Sequence, residues 1–350
     1  MNYNIEISNL TKKYTDYNYN LSFGRASAGI ICLAKYLIKN YKNPSIILPS
    51  TICVSPALIF FMNKITIHFV DVDKSTGLMK IDYAKKIISK KKISAVFFVN
   101  LYGNAIKLEK FHKYLKKKNI ILIQDLAQTF YLDDKSLNTQ LILGDFVILS
   151  FTYSKIFDLN HGGVILTKEL NLFNELAQIK KKIKFKQKNG IKIYNKWYQS
   201  NFSKKLNINI KDINKFYKKL YFVRENKKVF PKIVKKIKGL KLELKNRKKI
   251  FKNYENIFKN SNIKVIKSKY MLVPWRFSIL VKNNVEIAKN IRKYHFDVSS
   301  YYPNLTSRFQ NHRKVNYKNA ELIENSILNF WISNNYNKSK IKKINTLIKN

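Results

Sequence analysis

The sequence has few cysteines and few histidines, and both shortages narrow the class of protein. Only Cys32 and Cys53 are present, and neither belongs to a CxxC pair. This argues against a disulfide scaffold or a zinc ribbon and favours a reduced, cytoplasmic protein. The five histidines show no metal-ligand spacing and no HExxH motif, so no metal site is predicted. The start of the chain has no charged lead followed by an apolar block, so we predict no signal peptide.

Long apolar runs and several common binding motifs are also absent. The longest apolar stretch, residues 46–62, is interrupted by prolines and hydroxyl residues and falls short of the ~20 apolar residues that a membrane-spanning helix needs. No GxGxxG, GxxxxGK[ST] or GxSxG motif supports dinucleotide binding, P-loop nucleotide binding or nucleophile-elbow hydrolysis. Hydrophobic residues still make up 45% of the chain, which is enough for a large core and predicts a soluble, folded protein.

Acidic residues are scarce: 21 stand against 68 basic residues, which gives a formal net charge of +47. A genome rich in A and T would produce this bias, and so would a surface that binds polyanions. Lysine is spread along most of the chain and asparagine and isoleucine are abundant, which favours the compositional interpretation. No RNA- or DNA-binding motif is recognised, so no specific nucleic acid partner is predicted.

The first two-thirds of the chain alternates strand and helix patterns. The predicted strands cover residues 45–48, 65–70, 93–99, 119–124, 146–151 and 164–167, and the predicted helices cover 27–39, 82–89 and 108–118. This alternation predicts an α/β fold with a mostly parallel sheet covered on both faces. A long helix over 232–258, strands near 263–265, 275–281 and 328–332, and helices over 285–294 and 339–348 follow. We therefore predict a large α/β domain, residues 1–235, and a connecting helix with a small C-terminal α+β domain, residues 236–350.

Polar side chains lie at or just past the ends of predicted strands, where parallel sheets bind their ligands. Asp125 closes one strand and Gln128 follows it; Ser150 closes the next, and Lys155 comes shortly after. A lysine can bind an aldehyde if it is partly desolvated, and a carboxylate beside a pyridine nitrogen keeps that nitrogen protonated. Small residues around Ser27 open the first helix, where a phosphate can approach backbone N–H groups. Together these residues predict a pyridoxal phosphate site.

Each of these residues also has an ordinary interpretation when it is taken alone. Lys155 is one of many lysines and fits a surface loop, while Asp125 and Ser27 fit helix caps. The prediction therefore depends on the combination.

Ordered segments of the sequence resemble the DegT/DnrJ/StrS family of sugar aminotransferases. The matching segments are Gly24–Ala28, Ile47–Ser55, Phe69–Asp73, Asn100–Gly103, Gln124–Gln128, Gly144–Phe151, Lys155 and Gly162–Thr167, with Trp275–Phe277 and Tyr302–Pro303 in the smaller unit. The resemblance implies a fold-type I, pyridoxal-phosphate-dependent transferase that acts on nucleotide-linked keto-sugars.

The resemblance implies a catalytic role for two residues. Lys155 would bind the aldehyde of the cofactor and then move a proton between the two carbons of the exchange, and Asp125 would pair with the pyridine nitrogen. Gln128 would lie near the ring oxygen. Some relatives carry histidine in place of the lysine and dehydrate the sugar, so Lys155 indicates transamination.

By the same resemblance, the Ala26 amide, Ser27 and Ser150 would hold the phosphate, and Cys53 occupies the position of the residue that stacks on the ring. A large aromatic residue is usual at the position of Cys53, and a cysteine stacks poorly.

Two further departures concern short motifs of the family. Its N-aromatic-R motif, which reaches the phosphate from a neighbouring subunit, is incomplete: Asn201-Phe202 lacks the arginine and Arg224 lacks the asparagine. The family's GEGG turn reads Asn160–Gly163 here.

We predict a cytoplasmic, homodimeric aminotransferase that moves an amino group from glutamate to a nucleotide-diphosphate keto-sugar, for polysaccharide or glycoconjugate biosynthesis. Two alternatives stay open. Cys53 and the incomplete motif suggest a degenerate relative that binds cofactor or sugar nucleotide without turnover, and the charge of +47 suggests a polyanion-binding protein.

Overall fold

The computed structural model describes residues 3–130, 134–187, 217–259, 261, 263–309 and 317–349. Within these residues one sheet contains β1 (Tyr19–Phe23), β2 (Ser45–Pro49), β3 (Thr66–Val70), β4 (Ala95–Val99), β5 (Ile121–Asp125), β6 (Phe146–Ser150) and β7 (Gly163–Thr167). The strand order is β1-β7-β6-β5-β4-β2-β3. Strand β7 is antiparallel to both neighbours, and the strands from β6 to β3 pair in parallel. The predicted α/β fold with a mostly parallel sheet is confirmed.

Helices pack around this sheet. They are α1 (Tyr3–Tyr14), α2 (Ala26–Asn40), α3 (Val54–Met62), α4 (Ile81–Lys90), α5 (Glu109–Lys117), α6 (Lys135–Leu141) and α7 (Leu170–Lys182). Every residue of β2, β4 and β7 is buried. Because alternate residues of a strand point to opposite faces, this burial means that both faces of the sheet are covered, as the continuous apolar strands predict.

Strand β1 was not predicted from the sequence. It lies at an edge of the sheet and pairs with β7 from Tyr19, opposite Thr167, to Phe23, opposite Gly163. Its partner lies more than a hundred residues away in the chain, so no local pattern reveals the pairing. The strand matters because its end leads directly into the start of α2.

Asp145 fastens β5 to helix α5. Its carboxylate accepts a hydrogen bond from the N–H of Leu122 at 2.7 Å, and it lies 2.7 Å from Lys116 Nζ and 3.6 Å from His112 Nε2. Burial alone would raise the pKa of this carboxyl, but the hydrogen bonds and the charge of Lys116 together outweigh burial and lower it. Asp145 thus holds the strand that ends at Asp125.

The C-terminal part contains a second, antiparallel sheet in the order β10-β11-β9-β8. Its strands are β8 (Lys264–Val265), β9 (Arg276–Leu280), β10 (Val298–Ser299) and β11 (Ile327–Trp331). The helices of this part are α8 (Phe230–Lys238), α9 (Leu240–Phe258), α10 (Asn284–Lys293), α11 (Lys318–Ser326) and α12 (Lys338–Lys349).

The structure differs from the predicted single helix over residues 232–258. Helices α8 and α9 meet at Gly239, whose backbone (φ −83°, ψ 4°) leaves the helical region. Glycine is a poor helix former because it loses more backbone entropy than other residues, and this explains the break.

The C-terminal part also contacts the carboxyl edge of the large sheet. The N–H of Leu305 donates to the carbonyl of Ser50 at 2.8 Å, and the N–H of Ala320 donates to the Asp71 carboxylate at 3.0 Å. A separate buried cluster lies between α9, α10, α12 and the second sheet. The larger core also includes Leu240 and other residues beyond 235, so the domain boundary at that position stays a prediction.

No helix in the described ranges is long and apolar enough to cross a membrane. The same ranges hold no group of three or more His, Cys, Asp or Glu side chains that could bind a metal ion.

Candidate active site

The end of β1 places a tight turn against the start of β7. The N–H of Gly162 donates to the carbonyl of Gly24 at 2.7 Å, and Phe23 pairs with Gly163. A Cβ atom at Gly163 would lie 2.2 Å from the backbone nitrogen of Ala26, so only glycine fits there. Two main chains therefore run in direct contact and hold the first turn of α2 in place.

That first turn of α2 presents backbone N–H groups and a hydroxyl at the positive end of the helix. Arg25 occupies the N-cap position with an extended backbone, and its side chain does not cap the helix. Ser27 is 9% exposed as a residue, and its buried hydroxyl has no hydrogen-bond partner in the described part of the chain. Uncapped amides and a buried hydroxyl at the positive end of a 15-residue helix are suited to bind an anion such as phosphate.

Asp125 ends β5 and is buried at the carboxyl edge of the sheet. Burial raises the pKa of its carboxyl, and the Ala127 N–H, which donates to Oδ1 at 2.7 Å, and the charge of Lys155 oppose this rise. Because a buried carboxylate favours a proton nearby, Asp125 can hold the proton of a ligand N–H group in this position.

Lys155 lies in a loop that follows β6 and is half-buried. Its N–H donates to the carbonyl of Thr152 at 3.2 Å, and the Thr152 hydroxyl lies 3.0 Å from the Ser150 hydroxyl at the strand end. Ser154, just before the lysine, has a φ of +63°, in the left-handed region. Its N–H donates to the Asp158 carboxylate at 3.0 Å, which stabilises this turn.

Side chains of the C-terminal part hold the same loop from outside. Trp275 Nε1 donates to the carbonyl of Ser154 at 2.8 Å, and the Arg276 guanidinium donates to it at 3.4 Å. The Arg276 guanidinium also stacks on the Trp275 and Trp331 rings, 4.5 Å and 3.8 Å from their centroids. Sequence reasoning placed Trp275 and Arg276 in the small domain but missed this contact.

These elements enclose a cleft of about 190 Å³. Six of the seven predicted site residues line it, namely Ala26, Ser27, Cys53, Asp125, Ser150 and Lys155. A lysine, a buried carboxylate and an anion-binding helix end in one cleft match the aldehyde, the pyridine nitrogen and the phosphate of pyridoxal phosphate, so the residues present fit this cofactor. Their individual roles toward it stay predictions.

Gln128 is the predicted site residue that does not line the cleft. Its amide oxygen accepts a hydrogen bond from the Tyr102 N–H at 2.8 Å, and its amide nitrogen donates to the Tyr302 hydroxyl at 2.7 Å. Gln128 therefore connects the ends of β4 and β5 to the C-terminal part. Its place near the ring oxygen stays a prediction.

Cys53 is half-buried and immediately precedes α3. It and Cys32 are free thiols. The cleft therefore has a small side chain at the position where the family resemblance implies a large aromatic one. Asn201-Phe202, part of the incomplete motif, lies outside the described residues.

Sequence reasoning did not single out Arg25, Thr152 or Tyr153, which also line the cleft. Arg25 lies inside the motif at the start of α2, and a cation at a helix N-terminus was the signal available for it. Thr152 and Tyr153 had no signal beyond their closeness to Lys155.

The mostly parallel sheet is that of the fold-type I transferases, and the residues of the cleft fit pyridoxal phosphate. The model of the DegT/DnrJ/EryC1/StrS aminotransferase family matches residues 3–214, more than half of the chain, and the chain belongs to this family. The predicted membership of this aminotransferase family is confirmed.

Known relatives agree with this membership. GDP-perosamine synthase of Escherichia coli O157:H7 is 25% identical over 179 residues, which cover 50% of this chain and 48% of that protein. The chain thus matches about half the length of this curated relative.

Solved structures show the same fold. An aminotransferase of the same family from Brucella abortus has a TM-score of 0.74 at 15% identity and covers 98% of this chain and 89% of its own. A GDP-4-keto-6-deoxymannose-3-dehydratase with a trapped PLP-glutamate geminal diamine has a TM-score of 0.73 at 18% identity and covers 99% and 92%. At these identities the likeness concerns the fold alone.

Proposed function

We propose that this protein transfers an amino group from glutamate to the keto group of a nucleotide-diphosphate sugar. The observation that carries the proposal is the cleft itself, where Lys155 and Asp125 lie together with the Ser27 hydroxyl at the start of α2, which has no partner among the described residues. The name of the GDP-perosamine synthase relative supports a nucleotide-sugar substrate, and the glutamate bound in the dehydratase structure supports the amino donor.

Each residue has a distinct task in this proposal. When bound, the cofactor supplies an electron sink that weakens a C–H bond at the carbon bearing the nitrogen. The Asp125 carboxylate would keep the ring nitrogen protonated, because the attraction between opposite charges is stronger at a buried site than in water. Lys155 Nζ would move the proton between the two carbons of the amino-group exchange, and the loop contacts of Ser154 hold Lys155 in position. The first turn of α2, with Ser27, binds the phosphate.

The net charge of +47 also fits a substrate with a diphosphate. A strongly basic surface raises the local concentration of anions and speeds their encounter, with a steep dependence on salt. This attraction is nonspecific, and recognition of the sugar falls to the cleft.

Covalent capture of the cofactor tests the proposal. Purified protein with pyridoxal phosphate is treated with borohydride, and the modified lysine is located by peptide mass spectrometry. We expect the adduct on Lys155, its absence in Lys155→Ala, and no change in Lys117→Ala, which removes an exposed lysine on α5. An unmodified Lys155 in the wild-type protein would end the proposal.

Turnover separates an enzyme from a degenerate relative. On addition of glutamate, the absorption band of the lysine-bound cofactor should decay as 2-oxoglutarate forms, and a nucleotide keto-sugar should restore the band. A captured cofactor that does not respond to glutamate would instead favour the non-catalytic alternative, which the small side chain of Cys53 in the cleft suggests.

We further propose that the working form is a homodimer, as the family resemblance implies, and that it is cytoplasmic, as the scarcity of cysteine suggests. Sedimentation velocity across a dilution series should show a dimer at working concentration, and a monomer throughout would contradict this proposal.

A further inference from the structure

One arginine at the phosphate-binding end of the cleft has no role in the proposed function. Arg25 occupies the N-cap position of α2, directly before Ala26 and Ser27, and it lines the cleft. Its backbone is fixed there, since Arg25 forms a bridge with Gly162. The side chain therefore starts from the same turn whose amides and hydroxyl are suited to bind an anion.

The pKa shifts of two neighbouring side chains indicate where the charge of Arg25 lies. Burial and then the charge of Arg25 lower the pKa of His161, in the turn before β7. Burial raises the pKa of the Tyr221 hydroxyl, and the charge of Arg25 opposes that rise. Tyr221 also interacts with Cys53 and Ser55, which line the cleft. The guanidinium charge thus acts beside the cleft.

The ionisable residues that line the cleft indicate which group Arg25 binds. Among the described residues that line the cleft, the basic ones are Arg25 and Lys155 and the acidic one is Asp125. The proposed function uses Asp125 for the ring nitrogen and Lys155 for the aldehyde. The lowered pKa of His161 disfavours its charged form. Of the basic residues in the described lining of the cleft, Arg25 is then the one available to face a phosphate dianion at the start of α2.

We infer that the Arg25 guanidinium binds the phosphate group of the cofactor, together with the Ser27 hydroxyl and the amides of the first turn of α2. The inference rests on the proposed function. A guanidinium presents two parallel N–H donors to phosphate oxygens and stays charged at all working pH values, which suits this task. A cation from the same chain also gives a physical reason why an incomplete N-aromatic-R motif is compatible with tight phosphate binding.

The test compares two ligands that differ only in the phosphate. Dissociation constants for pyridoxal phosphate and for pyridoxal are measured by absorbance. The Kd of pyridoxal divided by the Kd of pyridoxal phosphate measures how much the phosphate contributes to affinity. For Arg25→Gln we expect this ratio to fall by about 10- to 100-fold, as for the loss of a charged hydrogen-bonded contact. Arg25→Lys keeps the charge and loses the fork, so a smaller fall of roughly 3- to 10-fold is expected.

A matched control removes the same charge elsewhere on the same helix. Lys35 is exposed on α2, and Lys35→Gln should leave the ratio unchanged. If Arg25→Gln and Arg25→Lys both keep the wild-type ratio, or lose both affinities in parallel, the inference is overturned. Failure of the proposed function is a different result, because the wild-type protein would then capture neither ligand on Lys155.

Discussion

Substitution of Gly163 tests how tightly the first turn of α2 must fit against β7. In Gly163→Ala the new Cβ would lie 2.2 Å from the Ala26 nitrogen, 2.5 Å from its Cα and 2.6 Å from the Arg25 carbonyl carbon. All three atoms belong to the backbone, so no flexible side chain can move aside. The clash must separate the phosphate-binding turn from the strand.

Overpacking of this kind costs about 1–3 kcal/mol, and we expect the upper end because only backbone can yield. At roughly 2 °C per kcal/mol for a chain of this size, the apparent melting temperature of Gly163→Ala should fall by about 6 °C. The displaced atoms include the Ala26 amide, so the affinity for pyridoxal phosphate should also fall, on the order of tenfold, as for a lost hydrogen bond to a charged group.

Gly239 offers a control glycine with free space around it. The nearest atoms to a Cβ at Gly239 are carbonyl oxygens at 3.6 Å and 3.7 Å, which is ordinary contact. Gly239→Ala should leave the melting temperature unchanged or raise it slightly, by up to about 1 kcal/mol of stability, and leave cofactor affinity alone. The reasoning is refuted if Gly163→Ala melts and binds cofactor like Gly239→Ala.

Further predictions concern two carboxylates and the lysine loop. Burial raises the pKa of Asp125, so its ionised carboxylate lowers the stability of the fold above that pKa. Without cofactor, Asp125→Asn should therefore be more stable than the wild type at pH 7. The difference should shrink as the pH falls and Asp125 becomes protonated. The pKa of Asp145 is lowered, so its contribution is present above about pH 4 and lost as the pH falls further; urea titrations should show Asp145→Asn less stable at pH 7, by about 1–3 kcal/mol, with the gap closing at pH 3. Trp275→Phe removes the donor to Ser154 and should speed hydrogen exchange around Lys155 by about 2- to 10-fold, whereas Trp331→Phe, which keeps a ring on Arg276, should not. A stability difference that does not change with pH would contradict the assignment for either aspartate. Equal hydrogen-exchange rates in Trp275→Phe and Trp331→Phe would contradict the assignment for Trp275.

The sequence predicted the parallel part of the sheet well because those strands are continuous apolar runs. The strand ending at Asp125, predicted as 119–124, is Ile121–Asp125, and the strand ending at Ser150, predicted as 146–151, is Phe146–Ser150. Since parallel strands end at one edge, the polar residues after them had to meet there. The site follows from pattern and topology together, without knowledge of any side-chain contact.

Other features depend on contacts that no local pattern contains. Strand β1 is recognisable only through its pairing with β7, and the helix break at Gly239 competes with a strong helical pattern on both sides. The hydrogen bond from Gln128 to Tyr302 joins residues 174 positions apart. In each case tertiary contacts decide the structure, and periodicity within a single segment does not report them.

The C-terminal part contacts the loop that contains Lys155 through a buried charge, that of Arg276. Burial of this charge is unfavourable, and this explains why the second sheet and the loop must form together. Arg276 is buried, and burial, followed by the charge of Arg247, lowers its pKa to about 9. A buried cation of this kind is tolerated only when it is well solvated by the protein. Here the Trp275 and Trp331 rings and the Ser154 carbonyl supply that solvation. Because one of these acceptors precedes Lys155, folding of the second sheet and positioning of the lysine stabilise each other.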